Sequence, residues 1–592
     1  MLKNLLLLIS LLPAFTFAQE GLQPGKTIEK KLLKDEKHSY SIDMKVGECA
    51  FLSVIQKGVD LAVDIINPSG QKLKTLDSPN GDEGEERVFI EASQEGKYNV
   101  IVYPLDEEWE EADKKRWQTA NRGKSFDSLL LAEKEQNQGN YEINNYKVLS
   151  AAECKKKLKD EQEEERLKKQ KIIQWLTNNA HPLKSVVAGS GFEDLQWLKP
   201  VLKDVKYVGL GEATHGTREF FQMKHRMLEF LVKQMGFTVF AMEASYQGCE
   251  NINNYILYGK GDAYSALASQ GFWTWNTEEV IDMIEWMRKY NRTVPNNKKV
   301  QFFGFDIQQF AKSGAIDSVR NYLKKVDTTL AKRNDKLLQW LYKQDSKNLY
   351  TAITNSIQGD TGYVSTDTIQ HQLSYLLVSL AMKKGDYILR SSKSEYEKNF
   401  YNVTNMLQFV ETYNPKNMRS TPGRDYYMAS NFMNFVQQNP EAKIAVWAHN
   451  SHISKKIVSK SFGGWLNLAL GGKYFPIGFA FNKGSFQALE LNNIKLGGLR
   501  EFTVPEAKEG SLEWYFAQTK KGNSIVNLRQ RNLPVDVLNF LESVIPSRGF
   551  GGSANPNTYT GVYRQYQLIN DFDAVIFHDN TTRARPTPKG RR

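Results

Sequence analysis

Hydrophobic and polar residues alternate in short runs through the first part of the chain. Segments such as HSYSIDM, ERVFIEA and KYNVIVYPL have a two-residue period, and turn-forming sequences such as Pro-Ser-Gly separate them. A two-residue period buries one face of a strand and leaves the other face in water. The pattern predicts an antiparallel β-sandwich over residues 19–150, interrupted by a surface loop or helical insertion in the charged stretch 106–138.

The pattern changes beyond this region. Residues 151–180 carry dense opposite charges at helical spacing and few apolar residues, which predicts an exposed helical linker. Over residues 181–592, strand-like apolar runs alternate with amphipathic helical segments, which predicts an α/β region with a largely parallel sheet. Helical periodicity dominates residues 313–438, and we expect a helical insertion there.

The first residues have the organisation of a signal peptide. Lys3 precedes an apolar run, Leu5–Leu12, and Pro13 and a small residue, Ala18, follow before Gln19. The run is shorter than the roughly 18–20 apolar residues that a membrane-spanning helix needs. We therefore expect residues 1–18 to be removed and the protein to be periplasmic or secreted.

Composition and charge narrow the class of protein. A chain of 592 residues with 41% hydrophobic and 24% charged residues is typical of a globular protein with several domains. The formal charge is +11, but five positive charges fall in the last ten residues, which indicates a solvated tail and not a nucleic-acid surface. The cysteines, Cys49, Cys154 and Cys249, are odd in number and irregularly spaced, so the sequence predicts neither a disulfide framework nor a thiolate metal site.

Several predicted strands end in ionisable residues. A strand over 205–211, a helix and a second strand to Glu243 make a right-handed parallel unit, so Glu212, His215 and Glu243 should emerge at the carboxyl edge of the sheet. Ligands of open α/β sheets bind outside that edge, and we expect one site there. The later strands that end in the same way carry Asp306, His449, His578 and Asp579.

A dinucleotide site is a weaker interpretation of the same segment. Gly209, Gly211 and Gly216 are similar to a glycine-rich phosphate loop, and Glu243 stands where a ribose-binding acid would lie. The spacing departs from G-x-G-x-x-G, however. Glu212 would also place a carboxylate where a pyrophosphate needs backbone donors.

An ordered series of motifs identifies a family resemblance. GEATHG and EFF, then FAMEAS, FWTWN, FFGFD and WAHNSHIS, resemble the motif series of the erythromycin esterase family, from about residue 181 to 585. The resemblance implies a hydrolase of ester or lactone bonds, with macrolide ring opening and antibiotic resistance as one option, since family membership alone does not establish the substrate. Lys224 stands where the family has a functional arginine. The resemblance implies a catalytic set of Glu212, His215, Glu243, His449 and His452.

The residue types support a mechanism without a covalent intermediate. Histidine titrates near neutrality, so His215 is our candidate base, with Glu212 or Glu243 to orient it; the sequence does not choose between these carboxylates. His449 and His452 stand three apart and could donate hydrogen bonds to an oxyanion. No G-x-S-x-G elbow is present, which favours direct attack by water.

Aromatic residues near the predicted site suggest a substrate pocket, and two other functions are compatible with the same residues. The aromatic cluster around Trp273 and Trp275 could line a pocket for a bulky apolar molecule, although core packing explains it equally well. We expect no required cofactor, yet the same histidines and carboxylates could ligate zinc or iron in a metal-dependent hydrolase or peptidase. A noncatalytic envelope protein that binds a ligand is the other alternative. The predicted substrate-binding residues are Lys224, Asp306, Trp273, Trp275 and Asn450.

Overall fold

The structure is a computed structural model, and its two compact units are Met1–Leu167 and Lys168–Arg592. The predicted signal peptide and nearly all of the charged stretch 106–138 lie outside the described residues. The described residues are 20–33, 36–78, 82–105, 138–308, 314–344, 350, 353, 364–414, 423–492, 495–530 and 532–588.

Two β-sheets share one core in the first unit. Their strand orders are β1-β3-β8-β5-β6 and β2-β9-β4-β7, and every neighbouring pair is antiparallel except β1 with β3. Alternate residues of both sheets are buried against each other, which confirms the predicted all-β domain. The strands are β1 (Glu20–Gly21), β2 (Ile28–Leu32), β3 (His38–Met44), β4 (Cys49–Lys57), β5 (Leu61–Ile66), β6 (Lys72–Leu76), β7 (Glu83–Glu91), β8 (Gly96–Pro104) and β9 (Gly139–Leu149).

A disulfide corrects the interpretation of the cysteines. Cys49 at the start of β4 bonds to Cys154 in helix α1 (Ala151–Asn179), with 5.7 Å between the Cα atoms. The prediction of no disulfide was wrong because the sheet brings together cysteines that are 105 residues apart. Cys249 remains a free, buried thiol, so the odd number is one pair plus one unpaired residue.

Helix α1 confirms the predicted helix, but it is not exposed throughout. Its middle part is stabilised by pairs at helical spacing, such as Lys157 with Glu161 at 2.6 Å. Its last turns belong to the second unit, where Ile172, Trp175 and Leu176 are buried in a hydrophobic core. The high charge of the first turns led to the prediction of an exposed helix, although the last turns carry apolar residues.

A ten-stranded sheet organises the second unit. Its order is β10-β17-β21-β15-β11-β14-β12-β13, with β16 and β19 also paired to β15; β18 and β20 form a separate pair. The strands are β10 (Ala180–Pro182), β11 (Tyr207–Leu210), β12 (Val239–Ser245), β13 (Gln301–Asp306), β14 (Ile444–Trp447), β15 (Tyr474–Asn492), β16 (Lys495–Val504), β17 (Ser524–Asn527), β18 (Ile545–Arg548), β19 (Ser553–Ala554), β20 (Tyr563–Tyr566) and β21 (Ala574–Thr581).

This sheet is mixed, which corrects the expectation of a largely parallel one. From β21 through β15, β11, β14 and β12 to β13, all neighbours are parallel. Strands β10, β16 and β17 pair in the antiparallel direction. The parallel strands β11, β12 and β14 are buried along their whole length, as a sheet covered on both faces requires.

Helices cover the sheet, and those between β13 and β14 form the expected helical insertion. Helices α7 to α11 share a hydrophobic core of their own. Among the described residues, no helix is both long and apolar enough to cross a membrane. The helices after α1 are α2 (Leu198–Val201), α3 (Arg218–Met235), α4 (Tyr246–Tyr258), α5 (Ala263–Ala268), α6 (Glu278–Asn291), α7 (Ala315–Val326), α8 (Thr328–Lys343), α9 (Thr366–Met382), α10 (Lys384–Leu389), α11 (Lys393–Tyr413), α12 (Arg424–Gln438), α13 (Asn450–Ile453), α14 (Phe462–Leu470), α15 (Leu512–Gln518), α16 (Val535–Glu542) and α17 (Leu568–Asp571).

Candidate active site

Four neighbouring parallel strands bring the predicted residues to one edge of the sheet. Glu212 follows β11, Glu243 lies near the end of β12, Asp306 ends β13 and His449 follows β14. Strand β14 pairs with both β11 and β12, and β12 pairs with β13, so the four strand ends are adjacent. Parallel strands end on the same side, and the predicted convergence at the carboxyl edge is therefore present.

The buried carboxylate of Glu212 contacts three side chains. One oxygen, Oε1, lies 2.6 Å from Nδ1 of His215. The other, Oε2, accepts hydrogen bonds from Nζ of Lys224 at 2.6 Å and from Nε1 of Trp447 at 2.7 Å. An ionised carboxylate can only accept, so Nδ1 of His215 carries the hydrogen and a neutral ring keeps its lone pair on Nε2. The side chain of His215 is 14% exposed, which leaves it within reach of a ligand.

The charge of Glu212 is fixed by its neighbours. Burial alone would raise the pKa of the Glu212 carboxyl, but Lys224 and His215 outweigh burial and hold that pKa below its usual range. Burial lowers the pKa of Lys224 to about 8, against the opposing effect of Glu212. The Lys224 ammonium also lies 4.1 Å from the ring centroid of Trp447. Glu212 is therefore ionised at neutral pH.

A second ionic network surrounds Glu243. Arg424, the first residue of α12, donates through Nε and Nη2 to the two oxygens of Asp306, each at 2.9 Å. Its Nη2 also donates to Glu243 at 2.8 Å. The pKa of Glu243 would be raised by burial, but His452 and Arg424 outweigh burial and hold it well below its usual range. Two buried carboxylates thus hold one guanidinium rigidly at the edge of the sheet.

His452 is held between two carboxylates. Its Nδ1 lies 2.7 Å from Asp425 and its Nε2 lies 3.3 Å from Glu243. Burial alone would lower the pKa of His452, yet Glu243 and Asp425 outweigh burial and raise that pKa above its usual value. Its Nε2 also lies 3.2 Å from Nη1 of Arg424, and its side chain is 18% exposed.

His449 is bonded differently. Its Nε2 lies 3.0 Å from the carbonyl oxygen of Phe550, which can only accept, and its Nδ1 lies 2.8 Å from the hydroxyl of Ser451. Its backbone N–H donates to Glu243 at 2.9 Å. Burial, followed by the nearby His215, holds the pKa of His449 well below its usual value. The ring is neutral, and both of its nitrogens have partners within the protein.

The predicted substrate-binding residues divide into two groups. Trp275 meets the His215 ring edge-on, with 6.2 Å between centroids, and its Nε1 has no hydrogen-bond partner among the described residues. Trp273 is half-buried nearby in the chain. Lys224 is fully buried, and the side chain of Asn450 bonds to the backbone of Phe479 at 2.7 and 3.0 Å. Trp275 is also buried, at 2% exposure, so Trp273 is the one tryptophan of the pair that is partly accessible.

The expectation for His578 and Asp579 was wrong. His578 lies within β21, where its ring packs on Phe220 and Phe479, and neither ring nitrogen has a hydrogen-bond partner among the described residues. Asp579 accepts a hydrogen bond from Asn482 at 3.0 Å. Strand β21 continues to Thr581, three residues past His578, so the histidine does not end the strand.

Sequence reasoning missed Arg424 and Asp425, which hold Glu243 and His452. They follow no strand, so the rule that selected polar residues at strand ends did not select them. A signal was nevertheless present, because Arg424 opens a helix, where the helix dipole disfavours a cation unless anions face it. An arginine at that position indicates nearby carboxylates.

A metal site and a dinucleotide site were the two alternatives that the sequence suggested for these residues. Within the described part of the chain, no group of three or more His, Cys, Asp or Glu side chains is arranged to hold a metal ion. The glycines of the GEATHG segment have packing partners, since a Cβ on Gly211 would meet Asn450 and one on Gly216 would meet the backbone of Gln487. Glycine at these two positions therefore allows the close approach of neighbouring groups.

A carboxylate–histidine pair lies beside an ionic network at the carboxyl edge of an α/β sheet. The family model "Erythromycin esterase" matches residues 232–581, which is more than half of the chain. The chain belongs to this family, as the motif series predicted, and membership supports its assignment as a hydrolase. Glu212, His215 and Lys224 precede the matched residues.

Individual relatives extend the comparison toward the start of the second unit. The chain is 26% identical over 433 residues to erythromycin esterase type II of Escherichia coli, an alignment that covers 68% of this chain and 96% of that protein. A Bacillus cereus protein of known structure is 24% identical with a TM-score of 0.61, covering 71% of this chain and 99% of that chain. A histidine-to-asparagine mutant of an erythromycin esterase, in its open conformation, is 17% identical with a TM-score of 0.51, covering 67% and 96%. The solved structures show a shared fold.

Proposed function

We propose that this protein hydrolyses an ester or lactone bond with water that His215 activates. One observation carries the proposal: Nδ1 of His215 donates to the buried, ionised Glu212 at 2.6 Å. This bond fixes the tautomer and stabilises the imidazolium that forms when Nε2 takes a proton. We therefore assign the orienting role to Glu212, because Glu243 is occupied by Arg424 and His452.

The reaction balances with water as the only co-reactant. Nε2 of His215 takes a proton from water while the oxygen attacks the carbonyl carbon, and a tetrahedral oxyanion forms. The intermediate collapses, the C–O bond to the leaving group breaks, and the imidazolium returns its proton to the departing alkoxide. The products are a carboxylic acid and an alcohol, which remain in one molecule when the substrate is a lactone.

The oxyanion needs positive groups that are already in place. We assign this role to Arg424, whose side chain is 21% exposed and whose Nη1 faces His452 and not a carboxylate. The predicted donor role of His452 would require one of its nitrogens to leave Asp425 or Glu243. The predicted donor role of His449 would require its Nε2 to leave the Phe550 carbonyl. In our proposal His449 instead positions Glu243 through its backbone N–H.

Two further proposals concern substrate and location. The Escherichia coli relative named as an erythromycin esterase makes a macrolide lactone the first substrate to test, and the ring of Trp275 lies beside His215. Export through residues 1–18 remains our proposal for the location. The disulfide between Cys49 and Cys154 supports it, because such bonds persist mainly in oxidising compartments.

The proposal is tested by incubating the purified protein with a 14-membered macrolide and a panel of simple esters, with products identified by mass spectrometry. We expect a mass gain of one water, lost in His215→Ala and kept in His371→Ala, which changes an exposed histidine of α9. Cleavage of simple esters alone would retain the mechanism and remove the macrolide assignment. If the wild type cleaves nothing, or if His215→Ala retains full activity, the proposed mechanism is wrong.

A further inference from the structure

A cavity of about 610 Å³ lies between the helical insertion and the edge of the sheet. Its lining comes from the beginning of β13, the second half of α12, and helices α4 and α11. The active site uses the opposite ends of two of these elements, Asp306 and Arg424. Gln301 and Asn434 in the lining are each separated from those residues by roughly 15 Å along the strand or helix. None of the catalytic groups lines the cavity, although Phe303 in the lining is three residues from Asp306. The volume of the cavity is within the usual range for small-molecule sites.

Aromatic rings form much of the lining. The rings of Tyr246 and Tyr401 lie 4.3 Å apart, and those of Phe303 and Phe435 are stacked at 4.4 Å. The hydroxyl of Tyr401 is buried; the side chain of Asn405 approaches it as a hydrogen-bond partner but does not reach full hydrogen-bond geometry. A buried hydroxyl with an incomplete partner is costly, and a hydroxyl group of a ligand would satisfy it.

The polar part of the lining is balanced in charge. Glu250 pairs with Lys398 at 2.8 Å, and the remaining charged residues, Lys384 and Glu397, are one of each sign. Burial raises the pKa of Tyr246 to about 12, so its phenol stays neutral. Six further lining residues are asparagines or glutamines. Several of their amides bond within the protein, as Asn431 does to Gln408, and the remaining amide groups can donate or accept. Nothing in this set favours an anion or a cation.

We propose that this cavity is a second binding site, for a neutral saccharide. Flat aromatic faces pack against the apolar C–H faces of a sugar ring, while amides and the Tyr401 hydroxyl match its alternating donors and acceptors. The ligand binds away from His215 and is not hydrolysed there. The site does not depend on the proposed esterase chemistry.

Saturation-transfer NMR and calorimetry on the full-length protein test the site, with glucose, N-acetylglucosamine and cellobiose as saccharide probes. Three other probes test the specificity of the site. Citrate is an anion and spermine is a cation. The third, p-cresol, is a neutral aromatic molecule that is not a sugar. We expect saccharide binding that weakens about three- to tenfold in Tyr401→Phe, which removes one hydroxyl, and in Phe435→Leu, which removes a stacked ring. Tyr342→Phe changes an exposed tyrosine of α8 and should have no effect.

The active site provides the second control. Saccharide binding should persist in His215→Ala, and ester hydrolysis should persist in Tyr401→Phe, with thermal unfolding used to confirm that each variant is folded. The proposal is overturned if no saccharide binds, if only citrate, spermine or p-cresol binds, or if Tyr401→Phe and Phe435→Leu bind as the wild type does. Loss of saccharide binding in His215→Ala would place the sugar in the active site and would overturn it equally.

Discussion

Glu212 and Lys224 form an ion pair that is completely removed from water. Removing two charges from water costs several kcal/mol per ion, and the pair is tolerated only where further hydrogen bonds complete its coordination. Trp447 and His215 supply those bonds. Lys224 therefore acts through Glu212.

The buried pair leads to a prediction that separates catalysis from stability. Glu212→Gln removes the charge that stabilises the His215 imidazolium, and we expect kcat/KM to fall about 10²- to 10⁴-fold. The same change leaves a buried ammonium without its counterion, and we expect it to lower the free energy of unfolding by about 3–5 kcal/mol. Esterase kinetics and urea unfolding measure the two effects.

The double variant Glu212→Gln with Lys224→Met provides the control for this prediction. Removing both charges should restore most of the lost stability without restoring activity, since the orienting carboxylate is still absent. If the double variant regains activity, Glu212 does not orient the base. If Glu212→Gln is as stable as the wild type, the ion pair does not stabilise the fold.

The residue scale also shows where sequence reasoning succeeds and where it stops. Glu212, Glu243 and Asp306 were selected because strand ends meet at one edge, and that rule depends only on local pattern. Arg424 and Asp425 come from α12, the last helix between β13 and β14. No local sequence pattern shows which strand end that helix will contact. Tertiary folding, and not the local sequence, determines which oppositely charged residues pair with Glu243 and His452.

At the scale of elements, strand positions were predictable but strand directions were not. The runs VGL of β11 and SIVN of β17 are both short and buried, yet β11 is parallel to its neighbours and β17 is antiparallel. A buried strand has no exposed face, so periodicity cannot reveal its direction. This is why the centre of the sheet was predicted correctly and its antiparallel strands were not.

Strand β21 carries a histidine that should make the fold sensitive to acid. Burial lowers the pKa of His578 to about 3, so the folded protein holds a neutral ring whereas the unfolded chain binds a proton near pH 6.5. The unfolded state thus binds more protons between about pH 6.5 and 3. The stability associated with the neutral ring is complete above pH 6.5 and is lost as the pH falls, by up to about 1.4 kcal/mol per pH unit.

We expect His578→Leu to remove this dependence. An apolar side chain between Phe220 and Phe479 avoids both the unsatisfied ring nitrogens and the proton uptake on unfolding, so the variant should lose less stability than the wild type between pH 6.5 and 4.5. Urea unfolding at a series of pH values measures the difference. His371→Leu changes an exposed histidine and should show the same pH dependence of the free energy of unfolding as the wild type. If that pH dependence is unchanged in His578→Leu, His578 is not its source.

His225 should contribute a further pH dependence that remains in His578→Leu. Burial, followed by Lys233, lowers the pKa of His225 to about 3.

At the scale of the whole molecule, the two units depend on different kinds of stabilisation. The first unit is small and is closed by a disulfide between β4 and α1 that spans 105 residues. The second unit contains two large hydrophobic cores around its sheet and a third in the insertion. A long cross-link lowers the entropy of the unfolded chain, and the effect is greatest where the core is small.

The disulfide determines how many cysteine thiols react and how stable the first unit is. In protein isolated without reductant, thiol titration should detect no reactive thiol in the native state, one thiol, Cys249, after denaturation, and three after reduction. Cys49→Ala with Cys154→Ala should lower the stability of the first unit by about 2–5 kcal/mol, measured as earlier loss of that unit to proteolysis, while ester hydrolysis is retained because the catalytic groups lie in the second unit. Cys249→Ala is the matched single change and should leave the first unit unaffected. Three thiols after denaturation alone would contradict the cross-link and would remove the main support for an exported protein.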